Sequence, residues 1–270
     1  MKNWKDGLER WPGGLPQVRL TSKSRFASLI IDMQHVCAHR DYGQGIIMKK
    51  QFPAMWKDYF DRLEKVVIPN QQRLLGFFRR RGWRVIYTTV GPELPDGSDM
   101  FARRRWRDQE RIKIAQSRHF FSRGTLERSI LEAVRPQPQE LVVNKNSSGA
   151  FNSSALDQFL RNMGIDSLVI AGVVTNACVE TTARDAADRG YNCIVVEDGC
   201  PSYEPLSHEM TLRSFARLFG KVLSTRELIR LLSRLHPSRP HREVRRTRGS
   251  SSQRSEEMRK YRKWKFPKRS

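Results

Sequence analysis

The sequence predicts an α/β fold with three layers, in which helices cover both faces of a mostly parallel central sheet. Two observations predict it. Short apolar segments alternate along the chain with longer segments of helical periodicity, an order typical of parallel strands joined by helical crossovers. The apolar segments are also continuous rather than interrupted by polar residues, as expected for strands that are buried on both faces.

Six segments have the length and apolar character of buried strands. They are residues 27–31, 84–88, 140–144, 167–171, 192–197 and 221–223. Helices are predicted at residues 52–81, 102–115, 126–134, 154–163, 176–189, 208–219 and 225–235. Pro69 lies inside the first of these helices and is expected to kink or break it, because proline lacks the N–H that a helix interior needs.

The composition divides the chain into three regions. Residues 1–24 are predicted to form an irregular arm, and residues 25–235 a single α/β domain. Residues 236–270 contain 13 basic and three acidic residues, so they carry +10 of the formal net charge of +22. Because this tail has little apolar surface to bury, we expect it to be disordered. Its charge favours an anionic partner such as nucleic acid or an acidic surface.

The cysteine spacing and the hydropathy of the chain predict its cellular compartment. The four cysteines have irregular spacing, which favours free thiols in a reducing compartment and therefore the cytoplasm. These residues are Cys37, Cys178, Cys193 and Cys200. No apolar run approaches the roughly 18 residues of a transmembrane helix, so we expect no membrane span.

Residues with chemical potential follow three of the predicted strands. Asp32 comes after the first strand, Lys145 after the third, and Cys178 in the segment after the fourth. Ligands of open parallel sheets bind at the carboxyl ends of the strands, so we expect the three side chains to converge there. Each has an ordinary alternative when taken singly: a capping aspartate, a surface lysine, and a buried core cysteine.

Together the three side chains predict a cysteine nucleophile that attacks a small amide-type carbonyl. A thiolate is the reactive form, so we expect the pKa of Cys178 to be lowered. The predicted causes are Lys145 and the start of the next helix, with Thr175 or Asn176 as its N-cap. Asp32 is expected to take the thiol proton and later to activate water.

Three motifs resemble those of the isochorismatase-like cysteine hydrolases. They are LIIDMQ (29–34), VVNKNSSGAF (142–151) and AGVVTNACVETTARDAADRGY (171–191). The resemblance spans about residues 24–226 and implies the isochorismatase-like hydrolase fold. It also implies a catalytic triad of Asp32, Lys145 and Cys178.

The third motif implies how the oxyanion is bound. In proteins of this family a non-proline cis peptide precedes its threonine, which corresponds to Val173–Val174 here. We expect this bond to aim the N–H of Val174 into an oxyanion hole that the N–H of Cys178 completes.

Within the family, residues 88–107 and the end of the third motif resemble the branch of biuret hydrolase, ureidoacrylate amidohydrolase and N-carbamoylsarcosine amidohydrolase. The resemblance implies acylation of the cysteine by a ureide- or carbamoyl-type amide, with release of ammonia or an amine. It also implies a homodimer or homotetramer and no cofactor.

The metal pattern of the nicotinamidases is absent from the sequence. Their Asp-x-His positions correspond to Val90 and Pro92, so we predict no metal and no nicotinamidase activity. His35 and His39, followed by Asp41, leave a metal site open as an alternative, but they fit the mouth of the pocket better.

Several residues are predicted to contact the substrate. Gln34 is a candidate polar contact, with backbone bonding as its alternative. Phe151 is a candidate ring wall, with a core position as its alternative, and Asn176 lies beside the nucleophile. A basic cluster can pair with a substrate carboxylate or form a solvated helix face. It comprises Arg103, Arg104, Arg105 and Arg107.

Two other functions compete with the amidohydrolase. In the first, the chain is a nucleic-acid or anionic-surface binding protein on a hydrolase fold. Its basic tail, with Tyr261, Trp264 and Phe266, would supply charge and stacking. In the second, the chain is an inactive homologue with a scaffolding role, which the intact set of Asp32, Lys145 and Cys178 weighs against.

Overall fold

A six-stranded parallel sheet is the centre of the computed structural model, which describes residues 4–117 and 120–237. Its order is β3-β2-β1-β4-β5-β6, and every neighbouring pair is parallel. The strands are β1 (Phe26–Ile31), β2 (Arg84–Val90), β3 (Leu141–Lys145), β4 (Ser167–Gly172), β5 (Asn192–Val196) and β6 (Lys221–Leu223). All six residues of β1 and of β4 are buried, which explains their unbroken apolar sequences.

The helices lie between and after the strands. They are α1 (His35–Ala38), α2 (Gln44–Gln51), α3 (Pro53–Arg62), α4 (Ile68–Arg80), α5 (Ala102–Ala115), α6 (Leu156–Asn162), α7 (Glu180–Asp188), α8 (Pro205–Leu218) and α9 (Thr225–Leu235). From β1 the chain moves one way across the sheet to β3, then returns beside β1 and moves the other way to β6.

The two directions of travel put helices on both faces. Right-handed crossovers place the helices of the two halves on opposite faces of the sheet. Accordingly, α4 packs on β1, β2 and α9, whereas α7 packs on β5 and α8. The predicted three-layer fold with a parallel sheet is confirmed.

The long helix predicted at residues 52–81 is nearly continuous but not regular. A wide turn, Leu63–Val67, joins α3 to α4, and in it the N–H of Ile68 reaches back five residues to the oxygen of Leu63. Pro69 follows directly in the first turn of α4, where its missing N–H costs little. The predicted break at Pro69 thus takes the form of a wide turn that interrupts the helix directly before the proline.

The helix predicted at residues 126–134 is wrong over most of its length. Only Glu132–Val134 forms a short 3-10 turn. The preceding backbone pairs with the segment after β1 instead: the N–H of Leu131 donates to the oxygen of Met33 at 2.8 Å, and the N–H of Val36 donates to Glu127 at 2.8 Å. Those bonds use the groups that a helix would need.

The structure describes most of the N-terminal arm but only the first two residues of the predicted C-terminal tail. The first residues of the arm pack on the domain, since Trp4 and Leu8 are buried in the main core. The predicted tail lies outside the described residues from residue 238 on. Within the described residues, no helix is both long and apolar enough to cross a bilayer.

Candidate active site

The candidate site lies where the sheet changes its direction of winding. β1 and β4 are neighbours, and the chain leaves their carboxyl ends toward opposite sides, which opens a crevice between the connections. A cavity of about 200 Å³ occupies this position. It is lined by Asp32, Cys37, Gln44, Val90, Arg104, Arg107, Arg111, Phe121, Ser148, Val173, Val174, Ala177, Cys178 and Tyr203.

Asp32 follows the last residue of β1 and turns its carboxylate toward the cavity. Its backbone has a φ of 50°, a left-handed conformation that aspartate tolerates better than most residues. The side chain is 1% exposed. Its Oδ1 accepts a hydrogen bond from the Thr88 hydroxyl at 2.7 Å, and its Oδ2 accepts one from Lys145 Nζ at 2.7 Å.

Lys145 is the final residue of β3, and its side chain is fully buried. Besides Asp32, its ammonium donates to the oxygen of Ser147 at 3.0 Å. Burial disfavours the charged form, but the negative charge of Asp32 outweighs it and raises the pKa of Lys145. The ammonium form of the lysine is therefore favoured, paired with Asp32.

Cys178 lies in a wide helical turn, Thr175–Val179, that precedes α7. Burial raises the pKa of its thiol to about 11; Lys145 opposes this, whereas the negative charge of Asp32 adds to it. The prediction of a lowered pKa is wrong, because desolvation outweighs the lysine. At neutral pH the predicted nucleophile is therefore a neutral thiol.

The turn that carries Cys178 is capped differently from the prediction. Neither Thr175 nor Asn176 is the N-cap; Val174 holds that position without a side-chain cap. The Thr175 hydroxyl bonds instead to Pro201 O and to His208 Nδ1, each at 2.8 Å. Because the Arg62 guanidinium can only donate, at 3.2 Å, to Nε2 of His208, Nδ1 carries the proton.

The predicted oxyanion donors lie at and after the end of β4. The Val173–Val174 peptide is cis, at the position that the family resemblance predicts. Val173, Val174 and Cys178 all line the cavity, and in the described part of the chain the N–H of Val174 donates to no protein group. The backbone of Gly172 lies so close to Ile31 that a Cβ would overlap it, which explains the glycine there.

The family model of the isochorismatase domain matches residues 26–227. The chain belongs to the isochorismatase family. This family membership agrees with the parallel sheet and with the position of the cavity, and it confirms the predicted family.

Relatives in this family give the comparison more detail. The chain is 31% identical over 144 residues to ureidoacrylate amidohydrolase RutB of Methylorubrum extorquens, which covers 53% of this chain and 57% of that protein. The chain thus spans little more than half of this relative. It is 24% identical over 216 residues to RutB of Acinetobacter baylyi, covering 79% of this chain and 86% of that one.

A solved structure shows the same fold. The cysteine hydrolase from Pseudomonas syringae pv. phaseolicola superposes with a TM-score of 0.64 at 26% identity, covering 82% of this chain and 98% of that chain. The predicted branch of the isochorismatase family is confirmed by the names of the RutB relatives.

The three predicted substrate contacts lie outside the cavity lining. The amide of Gln34 is fully buried and donates to Val90 O at 3.2 Å and Arg128 O at 2.9 Å, while Val90 N–H donates to it at 2.8 Å. Phe151 is a core residue that packs on Tyr191. For these two, the alternatives of backbone bonding and a core position describe what the structure shows.

Asn176 lies in the same turn as Cys178, but its side chain points away from the cavity. Its side-chain oxygen accepts a hydrogen bond from Ser202 at 2.8 Å. None of the three residues therefore touches the cavity in this structure.

The histidines considered for a metal also lie outside the lining. His35 and His39 stack at 5.6 Å, and Nδ1 of His39 accepts from the N–H of Asp41 at 3.1 Å. Burial and the neighbouring His35 lower the pKa of His39. Across residues 4–117 and 120–237, no three His, Cys, Asp or Glu side chains form a group that could hold a metal ion.

Sequence reasoning missed several lining residues. Tyr203 reaches the cavity from the segment before α8, and Cys37 reaches it from α1; neither has a motif of its own. Arg111 was also missed. It lies seven residues after Arg104 on α5, so helical spacing could have placed both on one face.

Proposed function

We propose that this protein is a cysteine amidohydrolase that cleaves the C–N bond of a small ureide- or carbamoyl-type amide through a thioester at Cys178, with release of ammonia or an amine. One observation carries the proposal. A buried carboxylate, paired at 2.7 Å with a buried ammonium, lines the same small cavity as a cysteine thiol. These are the groups that nucleophilic acyl transfer needs.

Acylation starts from the neutral thiol. Because the pKa of Cys178 is about 11, few molecules hold a free thiolate at neutral pH, and proton transfer to Asp32 accompanies attack. As the S–C bond forms, the carbonyl electron pair moves to oxygen, where the N–H groups of Val174 and Cys178 stabilise it. Asp32 then gives the proton to the leaving nitrogen, and the C–N bond breaks.

Deacylation uses the same groups in reverse. Water attacks the thioester carbonyl while Asp32 takes a proton from it. The tetrahedral intermediate collapses, the S–C bond breaks, and the proton returns to the Cys178 sulfur. Lys145 holds the Asp32 side chain in position through both half-reactions, since its ammonium donates to Oδ2 at 2.7 Å.

The relatives support the coarser part of the proposal. The RutB proteins are named as amidohydrolases, which agrees with a hydrolase that acts on the C–N bond of a linear amide. The solved Pseudomonas protein is named as a cysteine hydrolase, which agrees with a cysteine nucleophile.

A substrate screen tests the proposal. Ammonia release is measured from small ureides, carbamoyl amides and nicotinamide with the wild type and with Cys178→Ala. We expect release from at least one ureide or carbamoyl amide and none from the variant. Cys193→Ala is the matched control, because that thiol is buried in β5 away from the cavity. Full activity in Cys178→Ala would contradict the proposal.

Other predictions depend on features that the structure does not describe. The anionic partner, and the competing nucleic-acid function, depend on residues 236–270, nearly all outside the described residues. The homodimer or homotetramer and the cytoplasmic location remain predictions, which light scattering and fractionation can check. Truncation after residue 236 should remove salt-dependent anion binding and leave catalysis unchanged if the tail is the binding element.

A further inference from the structure

The turn that carries Cys178 is too short and irregular to fix its own position. Asn176 departs from helical geometry, with a φ of −87° and a ψ of 22°. The N–H of Val179 reaches back five residues to the oxygen of Val174, at 3.3 Å. Because so short a turn has few internal hydrogen bonds, contacts from neighbouring segments must decide where it lies.

Thr175, the first residue of the turn, makes three such contacts. Its N–H and its hydroxyl both meet the oxygen of Pro201, each at 2.8 Å. The hydroxyl also meets Nδ1 of His208, at 2.8 Å. The side chain of Thr175 is fully buried and does not line the cavity, so it acts on the site through the backbone that it holds.

The protons in these hydrogen bonds can be assigned. A carbonyl oxygen only accepts, so the single proton of the Thr175 hydroxyl goes to Pro201. Nδ1 of His208 must therefore donate to the hydroxyl. Arg62 requires the same tautomer, because its Nη2 donates to Nε2 of His208 at 3.2 Å, besides donating to the oxygen of Glu197 at 3.3 Å. A directed chain of donors thus runs from α3 through α8 to the turn.

His208 is placed to hold the turn without touching a substrate. It lies in the first turn of α8, which packs directly on the turn of Cys178. Its ring lines a second cavity, of about 150 Å³, rather than the one that holds Cys178. Burial and the positive charge of Arg62 lower the pKa of His208 to about 4, so at neutral pH the ring has one donor and one acceptor, as the chain requires.

We propose that His208 is a positioning residue for the nucleophile: its Nδ1–H holds Thr175, and Thr175 holds the backbone of Val174 and of Cys178 for attack and for oxyanion binding. This inference rests on the proposed amidohydrolase function. Thr175 directly follows Val174 and precedes Cys178 by three residues, so a shift of its backbone moves both. A displacement of about 1 Å can reduce a rate about 100-fold.

Two substitutions distinguish the two ring nitrogens. The amide N–H in His208→Asn lies near the position of Nδ1, whereas the amide in His208→Gln lies near Nε2. His208→Asn should therefore keep the bond to Thr175, and His208→Gln should lose it while its amide oxygen still accepts from Arg62. Ser207→Ala is the matched control on the same helix, because the Ser207 hydroxyl donates to Glu204, at 2.8 Å, and not to the turn.

Steady-state kinetics use the ureide or carbamoyl amide that the substrate screen finds to be hydrolysed fastest. We expect His208→Gln to lower kcat by about 10- to 100-fold and to leave KM within about threefold, since neither His208 nor Thr175 lines the cavity. In His208→Asn and Ser207→Ala, kcat should stay within about threefold of the wild type.

Thr175→Val removes the same hydrogen bond from the other side and provides the test if His208→Gln does not fold. Because both changes break one bond, the double variant should lose no more kcat than the more impaired single variant. Where a substrate is found, equal kcat values in His208→Asn and His208→Gln, or losses that multiply in the double variant, would overturn the positioning role.

Alkylation of Cys178 tests the positioning without a substrate. A turn released by His208→Gln or Thr175→Val should admit water to the thiol, whose pKa burial raises to about 11. Each unit by which that pKa falls raises the rate with iodoacetamide at pH 8 about tenfold, and His208→Asn should not show this rise. If no compound releases ammonia, the proposed function fails; equal alkylation rates in these variants would then overturn the positioning role as well, whereas the expected difference would leave it standing.

Discussion

The protonated resting state of Cys178 predicts unusually slow alkylation at neutral pH. Burial raises the pKa of this thiol from an ordinary 9.0 to about 11. Since only the thiolate reacts, the two-unit difference lowers its fraction at pH 7, and the rate with iodoacetamide, by about a hundredfold relative to an unperturbed cysteine. The logarithm of the rate should then rise by about one per pH unit from pH 7 to pH 10.

The assay follows each cysteine by mass spectrometry after quenching. The other three thiols have pKa values raised by burial at least as far, so Cys178 should be alkylated first. Unfolding in urea is the internal control, because all four cysteines should then react at similar rates. Turnover of a substrate should not follow the same pH dependence, because Asp32 removes the proton during attack.

A plateau in the alkylation rate of folded protein at or below about pH 9 would refute this reasoning. It would mean that Lys145 and the turn at Thr175–Val179 lower the pKa more than burial raises it. A turnover rate that climbs tenfold per pH unit alongside alkylation would refute the role of Asp32 as base.

Three further predictions concern the surroundings of the site. Lys145→Met should abolish turnover and lower the free energy of unfolding by about 3–5 kcal/mol, because it leaves a buried carboxylate unpaired; urea denaturation measures this, and an unchanged stability would contradict it. Burial and the positive charge of Arg62 lower the pKa of His208 to about 4. The imidazole therefore stays neutral in the folded protein, whereas in the unfolded chain it takes up a proton near pH 6.5. Its contribution to stability is therefore present above about pH 6.5 and falls as the pH drops toward 4, by about 3 kcal/mol; His208→Gln should remove that slope in denaturation curves at pH 7 and 4.5, and a slope that persists would exclude His208 as its source. Ser224→Ala should cost about 1 kcal/mol and lower the melting temperature, because Ser224 and Glu227 form the capping box of α9; an unchanged melting temperature would show that the cap is not needed.

The sheet and the three site residues could be predicted because local sequence decides them. Strands buried on both faces must be apolar throughout, as β1 is, and Asp32 and Lys145 stand out as charges at the ends of apolar segments. The predicted strand boundaries differ from those in the structure by one or two residues. Lys145, for example, is the last residue of β3 rather than the first residue after it.

The predictions that the structure contradicts concern features that depend on contacts between distant parts of the chain. Residues 126–134 have helical periodicity, yet their backbone bonds to the segment after β1, where Gln34 and Ile130 form a bridge. Gln34 is predicted as a polar substrate contact with backbone bonding as its alternative, and the alternative holds because its amide bonds to backbone more than 50 positions away. The prediction of a lowered pKa for Cys178 was wrong for the same reason. The pKa is raised by burial, and the extent of burial depends on how the whole site packs.

The pairing of β1 with β4 joins the two halves of the candidate site. Asp32 and Lys145 belong to the half of the sheet formed by β1, β2 and β3, whereas Cys178 follows β4 in the other half. The two strands are in register from Phe26–Ser167 to Ile31–Gly172, so the ends from which the chain continues to Asp32 and to the turn of Cys178 lie side by side. A substitution that weakened this pairing would therefore move the proposed base relative to the proposed nucleophile, although it changed neither residue.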